Sequence, residues 1–417
     1  MVDMISAFFI AVGLSLPAQS GCLPGVFKYG DGASVVVDEP RANDAQGYRF
    51  LDGRRGSLAA ANDYIACRDG TVLAGAEGAP KSVGTPVELL KTQVSFKSAG
   101  ATIVGEMLRP ALSTTPLPLV VMVHGSERTP AIGNRTAKLL AAQGIAVFSY
   151  DKRGTGKSGG YYTQNFELLA DDAVAALRAA MATGRFTKAG YYGESQGGWV
   201  APLAATRSPA DFIVVGYGLI ASPIEEDKQQ MLLEADKLGL DQDAKEAISR
   251  LSDATARIIR SNFTSGFTEL DEVRRVATDQ GWYERIDGEY SGDMLRMGEL
   301  DLRRIGKPVF DNLELIWDYD ALGALRKVTA PILWIAAGDD REAPVAPTLR
   351  ALEHLVQEGK PLTSYVFPDT DHGILEFTQD QNGKRSYTRF ADGYFRLVAD
   401  GILGRVRGSY GRAYKLH

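Results

Sequence analysis

Between residues 118 and 217 the chain alternates continuous apolar runs with stretches of helical spacing, and this alternation restricts the fold more than any other feature. Residues 118–123 form an apolar run of buried-strand type, 135–143 carry helical spacing, and 145–150 are again strand-like. An Ala-rich helix is expected at 168–181, with further strands at 189–192 and 212–217. Strands lacking polar alternation are covered on both faces, and helices between them imply parallel crossovers. The expectation is an α/β fold: a mostly parallel central sheet with helices on both faces.

The rhythm stops at Ala221 and resumes near Lys327 with strand 331–337, helix 347–357, strand 363–367 and an amphipathic helix 389–403. The intervening 222–326 is charged and reads mainly as helix, for example 230–237 and 244–259, with breaks near Gly266, Gly281, Gly288 and Gly292. It is expected to be a helical cap inserted in a core made of 91–221 and 327–417. Residues 21–90 read as a small β-rich module, with Asp31-Gly32, Asp52-Gly53 and Asp69-Gly70 as turns and Val35-Val36-Val37 as a strand. A hairpin around Ala99-Gly100, ending at Pro110, opens the core.

The chain of 417 residues is 45% hydrophobic and 24% charged, which places it among globular proteins able to bury a core. With 46 Lys+Arg against 52 Asp+Glu the net charge is -6, so nothing draws the chain to nucleic acid. The locally basic tail 405–417 reads as a solvated end. An apolar run at 5–16 is too short to span a bilayer. With small residues at Ala18 and Ser20 it reads as an export signal over 1–20, although Met1-Val2-Asp3-Met4 lacks the usual cation. A periplasmic or extracellular location is the expectation, and a cytoplasmic one the alternative. Gln19 weakens a reading of Ser20-Gly21-Cys22 as a lipid attachment site. Cys22 and Cys67 have no CxxC neighbour and no zinc-spaced histidines, so neither metal nor cofactor is expected. In an exported protein they would close a loop of about 45 residues; two free thiols are the other reading.

Gly193-Glu194-Ser195-Gln196-Gly197-Gly198 follows a strand and opens a helix. A serine on such a turn is held in a strained, exposed position, with glycines where side chains would strike the neighbouring strand and helix. Its hydroxyl is a weak nucleophile that needs a base. Of four histidines, His417 is terminal, His354 lies within a helix and His124 follows the 118–123 strand, which leaves His372, directly after the last expected strand. A third group must hold the imidazole tautomer. Asp340 in Gly338-Asp339-Asp340-Arg341 is the choice, with Asp339 as the neighbouring alternative. The order Ser195, Asp340, His372 is that expected of an α/β-hydrolase triad. Gln196 N–H and the backbone of Ser126, in His124-Gly125-Ser126, are the candidate oxyanion donors, and His124 is then structural. Gly154-Thr155-Gly156-Lys157-Ser158-Gly159 fits GxGxxG, but residue 151 is Asp where a phosphate loop needs Gly, so 151–158 reads as a structural turn.

Together these residues resemble the α/β-hydrolase superfamily, and Gly193-Glu194-Ser195-Gln196-Gly197-Gly198-Trp199 is similar in particular to serine-peptidase-like and dienelactone-hydrolase-like esterases. The resemblance covers about 91–221 and 327–404. It implies serine attack on a small-molecule carboxylic ester, an acyl-enzyme and its hydrolysis, with no cofactor. The same residues would serve a peptidase removing N-terminal units, which would need an acid such as Glu194 or one in the cap to anchor a free amine. They would equally serve a thioesterase or acyltransferase. A non-catalytic binding protein of this fold is the reading from another class. Met231, Leu232, Phe263, Phe267, Trp282 and Tyr283 are candidates either for an acyl pocket or for the core of the cap. No membrane span is expected, and the sequence gives no reading of the oligomeric state.

Overall fold

A computed structural model describes residues 22–30, 32–40, 45–59, 64–75, 77–78, 80–381 and 383–417. The export signal read at 1–20 and the turn residue Asp31 lie outside the described residues.

The strand-type runs assemble into a nine-stranded sheet. Across it lie Tyr414–Lys415, Leu362–Phe367, Ile332–Ala337, Phe212–Gly216, Phe186–Glu194, Leu117–Val123, Ala146–Tyr150, Ala101–Pro110 and Leu89–Ser98. The six strands from Leu362–Phe367 to Ala146–Tyr150 are parallel, and the three outer ones antiparallel. Helices cover both faces: Phe166–Met181, Gly197–Arg207, Ala321–Lys327 and Val345–Gln357 on one side, Arg135–Ala142 and Tyr394–Leu403 on the other. This is the α/β-hydrolase fold.

Capping side chains set several helix starts. Asn165 accepts from Leu168 N–H, and Ser222 from Glu225 N–H with Pro223 in the first turn, so these helices begin earlier than apolar spacing alone places them. The last helix begins at Tyr394 rather than 389, because Arg385–Phe390 is a strand and Gly393 turns the chain at φ 89°. That strand belongs to a three-stranded sheet with Thr370–Asp371 and Leu375–Gln379, which the sequence reading missed.

Residues 222–326 contribute the helices Pro223–Lys237, Gln242–Arg260, Phe267–Asp279, Ser291–Arg296 and Glu299–Phe310 around an apolar core of their own. Met231, Phe263, Phe267 and Trp282 are buried in that core, with Leu232 and Tyr283 packed against it. All six acyl-pocket candidates are therefore cap core. Buried Asp227 ties the segment together, accepting N–H groups from Glu289, Tyr290 and Ser291.

The first described segment forms the antiparallel sheet containing Gly25–Lys28, Ser34–Val37, Gly47–Phe50 and Arg55–Ser57, and a second small sheet joined to it by the Cys22–Cys67 disulfide. It docks on the hydrolase core. Val26 and Val36 share an apolar cluster with Leu140 and Phe395, Arg135 grips both oxygens of Asp38, and Phe390 N–H donates to Gly53 O. No helix among the described residues is long and apolar enough to cross a membrane.

Candidate active site

The serine turn is built by close backbone approach. Ser195 sits at φ 51°, in the left-handed region that a side chain rarely occupies, and its N–H donates to Gly216 O on the neighbouring strand. A Cβ on Gly193 would strike the Gly197 carbonyl, and one on Gly197 the Val123 carbonyl, so both positions exclude larger residues. Helix Gly197–Arg207 starts immediately behind, its first turn closed by Gly198 N–H donating to Ser195 O and Trp199 N–H to Gln196 O.

His372 Nε2 lies 3.0 Å from Ser195 Oγ, and His372 Nδ1 lies 2.9 Å from Asp340 Oδ2. The structure thus brings together the three side chains singled out in the sequence, and it is Asp340, not Asp339, that faces the imidazole. Asp340 is buried, and its other oxygen accepts N–H groups from Glu342 (3.1 Å) and Ala343 (2.7 Å). Burial works to lower the His372 pKa; the hydrogen bond and charge of Asp340, with Glu342 and Asp371, outweigh it and leave the imidazole above its ordinary value.

Asp371, which the sequence reading gave no role, holds the histidine loop. It accepts from Arg341 N–H, His372 N–H and Tyr387 hydroxyl at 2.9 Å each and pairs with Arg385 at 2.6 Å. Burial alone would raise its pKa, yet these partners hold it below the usual carboxylate range. Tyr217 is a second missed residue: its ring meets His372 edge to face at 5.0 Å.

Gln196 and Ser126 line the same cavity as Ser195. The Ser126 segment is fixed from behind, because Lys152 donates to Gly125 O and Tyr162 to Ser126 O. Burial pushes the Lys152 pKa down to about 8. Asp151 organises the 151–158 turn, accepting Ala131, Ile132 and Lys157 N–H groups, while Arg153 forms a buried pair with Asp172 at 2.6 Å. This is the structural role expected of the segment. His124 is buried, which pushes its pKa down to about 4, so it stays neutral as a packing residue. Among the described residues no cluster of His, Cys, Asp and Glu is arranged to hold a metal ion.

The cavity over Ser195 measures about 280 Å³. Its apolar wall is formed by Trp199, Leu219, Val309, Phe310, Leu315 and Trp317, the last four from within 222–326. Trp317 is steadied by Tyr290, ring to ring at 4.9 Å, and by Asp311. Three carboxylates, Glu226, Glu289 and Glu342, line the same space. Burial and the neighbouring acids push Glu226 well above its ordinary value and Glu289 up to about 6. Glu194 is turned away from the cavity, its Oε1 accepting the Tyr192 hydroxyl at 2.8 Å.

Two family models match the chain. That of serine aminopeptidase, S33, covers residues 114–299, and that of the prolyl oligopeptidase family covers residues 293–397. The chain belongs to the α/β-hydrolase superfamily. Each model spans less than half of this hydrolase and neither reaches the first described sheets. Curated protein sequences give no match. Among solved structures, the DcsB complex with its substrate analogue is 14% identical with a TM-score of 0.46, covering 76% of this chain and 100% of that one. Proline iminopeptidase of Mycobacterium smegmatis is 15% identical with a TM-score of 0.43, over 75% and 98% of the two chains. Est1E from Butyrivibrio proteoclasticus, with ferulic acid bound, is 16% identical with a TM-score of 0.42, over 74% and 95%.

Proposed function

We propose that this chain is a serine hydrolase that cleaves carboxylic esters through Ser195, His372 and Asp340 by way of an acyl-enzyme. The observation that carries the reading is Ser195 Oγ facing His372 Nε2 at 3.0 Å on the floor of a roofed cavity, with Asp340 on the far ring nitrogen. As Oγ attacks the carbonyl carbon its proton passes to Nε2, and the backbone N–H groups of Gln196 and Ser126 receive the oxyanion. Collapse expels the alkoxide, which takes the proton from His372. Water then repeats the sequence on the acyl-serine and releases the acid.

A second reading, removal of N-terminal aminoacyl units, is favoured by the three carboxylates in the cavity. They repel one another, and a substrate ammonium would be the cation they lack. The likeness to the serine aminopeptidase model supports it. Short and long acyl esters assayed beside aminoacyl anilides separate the two, using wild type, Ser195→Ala and Glu226→Gln/Glu289→Gln. The ester reading expects ester turnover that survives the glutamine pair. The aminoacyl reading expects anilide turnover that loses at least about tenfold in kcat/KM with that pair, mainly through KM. Turnover of neither class by wild type would reject both. Export is proposed as well, supported by the Cys22–Cys67 disulfide, which persists in oxidising compartments.

A further inference from the structure

We propose that Lys152 is a positioning residue for the oxyanion site: by gripping the Gly125 carbonyl it turns the Ser126 N–H away from itself, into the cavity over Ser195, and its charge polarises the peptide that carries that N–H. The role in turnover rests on the serine-hydrolase reading above. The clamp on the peptide does not.

The loop that carries Ser126 runs close beside the nucleophile. A Cβ on Gly125 would stand 3.2 Å from Ser195 Cβ and 2.7 Å from Glu127 Oε2, a fit that glycine leaves without strain. Glycine also gives the following peptide the widest freedom to rotate. Rotation there would swing two polar groups at once, because a trans peptide is planar and its C=O and N–H point in opposite directions. Lys152 Nζ donates to Gly125 O. The Ser126 N–H of the same plane therefore points the other way, and among the described residues it has no acceptor. Ser126 lines the cavity together with Ser195 and Gln196. Tyr162 holds the next peptide by donating to Ser126 O, and Asp151 anchors the loop further on through the Ala131 and Ile132 N–H groups.

A lysine is a costly choice for a purely structural tie at this place. Lys152 is buried, pairs with no carboxylate at contact distance, and has Gly125 O as its one hydrogen-bond acceptor among the described residues, with the Tyr162 ring centre 5.3 Å from Nζ. An ammonium so sparsely compensated is expensive to bury, and a neutral donor would hold the carbonyl at lower cost. What the charge adds is polarisation, since a cation on the carbonyl oxygen strengthens the donor at the other end of the same peptide. The charged and titratable groups around Nζ are Asp151 and Arg153 on its own turn, His124, Glu127 and Arg128 on the loop, and Tyr162 ahead of helix Phe166–Met181. Arg153 is neutralised by Asp172, His124 stays neutral, and Arg128 lies 4.5 Å from the Tyr162 ring centre. Glu127 supports the Lys152 charge, and burial outweighs it.

The test compares Lys152→Met with Lys157→Met, the latter removing a lysine of the same turn whose exposed side chain reaches Gln93 instead. Lys152→Met is expected to lower kcat about thirtyfold with KM nearly unchanged, somewhat less than the roughly 10²–10³ lost when an oxyanion donor is removed outright. Affinity for a trifluoromethyl ketone, whose adduct with Ser195 places an oxyanion in the same site, falls in parallel. Lys157→Met keeps the wild-type values. In wild type kcat falls several-fold as pH rises through about 8, where Lys152 loses its proton, and Lys152→Met lacks that limb. A crystal structure of Lys152→Met reads the clamp without turnover: the Gly125–Ser126 peptide is expected to rotate and carry the Ser126 N–H away from Ser195. That readout stands even if Ser195→Ala remains active and the hydrolase reading fails. A kcat loss below about threefold, a loss carried by KM, an unrotated peptide, or equal basic limbs in wild type and Lys152→Met would overturn the proposal. If Lys152→Met does not fold, the wild-type profile decides, and a kcat that stays level from pH 7 to pH 10 overturns it.

Discussion

Asp340→Asn should abolish turnover through a tautomer error that the structure specifies. One Asp340 oxygen accepts the Glu342 and Ala343 N–H groups while the other faces His372 Nδ1. An asparagine must keep its carbonyl oxygen toward those two donors, since the reverse orientation sets its NH₂ against them. The NH₂ then faces Nδ1 and makes it an acceptor, so the imidazole proton moves to Nε2. His372 then donates to Ser195 Oγ instead of receiving from it. A wrong-tautomer substitution of this kind costs on the order of 10⁴ in kcat, about 5.4 kcal/mol of barrier. Asp339→Asn is the control, because Asp340, not Asp339, contacts the imidazole. The assay is kcat on a short-chain ester, with thermal unfolding to show that both variants fold. A loss of less than tenfold in Asp340→Asn, or a larger loss in Asp339→Asn, would refute the reasoning.

The pH profile follows from His372, which must be neutral to act as base. Since Asp340, Glu342 and Asp371 outweigh burial and raise its pKa above 6.5, kcat/KM should fall as pH drops through a midpoint above 6.5. Glu342→Gln removes one of the raising charges and should move that limb to lower pH; an unmoved limb would show that Glu342 does not act on the base. Phe310→Ala with Trp317→Ala should change the preference between short and long acyl chains and spare the shortest ester. Met231→Ala, a cap-core truncation, should instead cost about 2–5 kcal/mol of stability with no change in preference, measured by denaturant unfolding beside an ester panel. Reduction of Cys22–Cys67, which closes a span of 45 residues, should cost about 4 kcal/mol in the chain-entropy model. An unchanged unfolding midpoint in reductant would count against that.

Ser195 and His372 were legible because a strand-to-helix turn with its glycines and a scarcity of histidines each leave few choices. Asp340 was legible only to within one residue, since adjacent carboxylates at a strand end differ in direction, which depends on how the following turn donates its N–H groups. Of the two readings open for the six apolar candidates in 222–326, acyl pocket or cap core, the structure has the second. Met231 lies on the buried face of a helix, and Phe263 and Trp282 lie in the turns that follow two helices, all three packed into the segment's own core. The cavity wall uses Leu315 and Trp317 from an irregular segment with no period to detect. The sheet behind His372 escaped notice because one strand is two residues long and the others are half-exposed.

The central claim is that Ser195 is the nucleophile activated by His372. Incubation with diisopropyl fluorophosphate, followed by intact-mass measurement and peptide mapping, tests it directly. The account predicts one phosphoryl adduct per chain, located on Ser195, with activity lost in proportion to modification, no adduct on Ser195→Ala and a markedly slower reaction in His372→Ala. An adduct at another residue that abolishes activity, or Ser195→Ala retaining wild-type turnover, would contradict it.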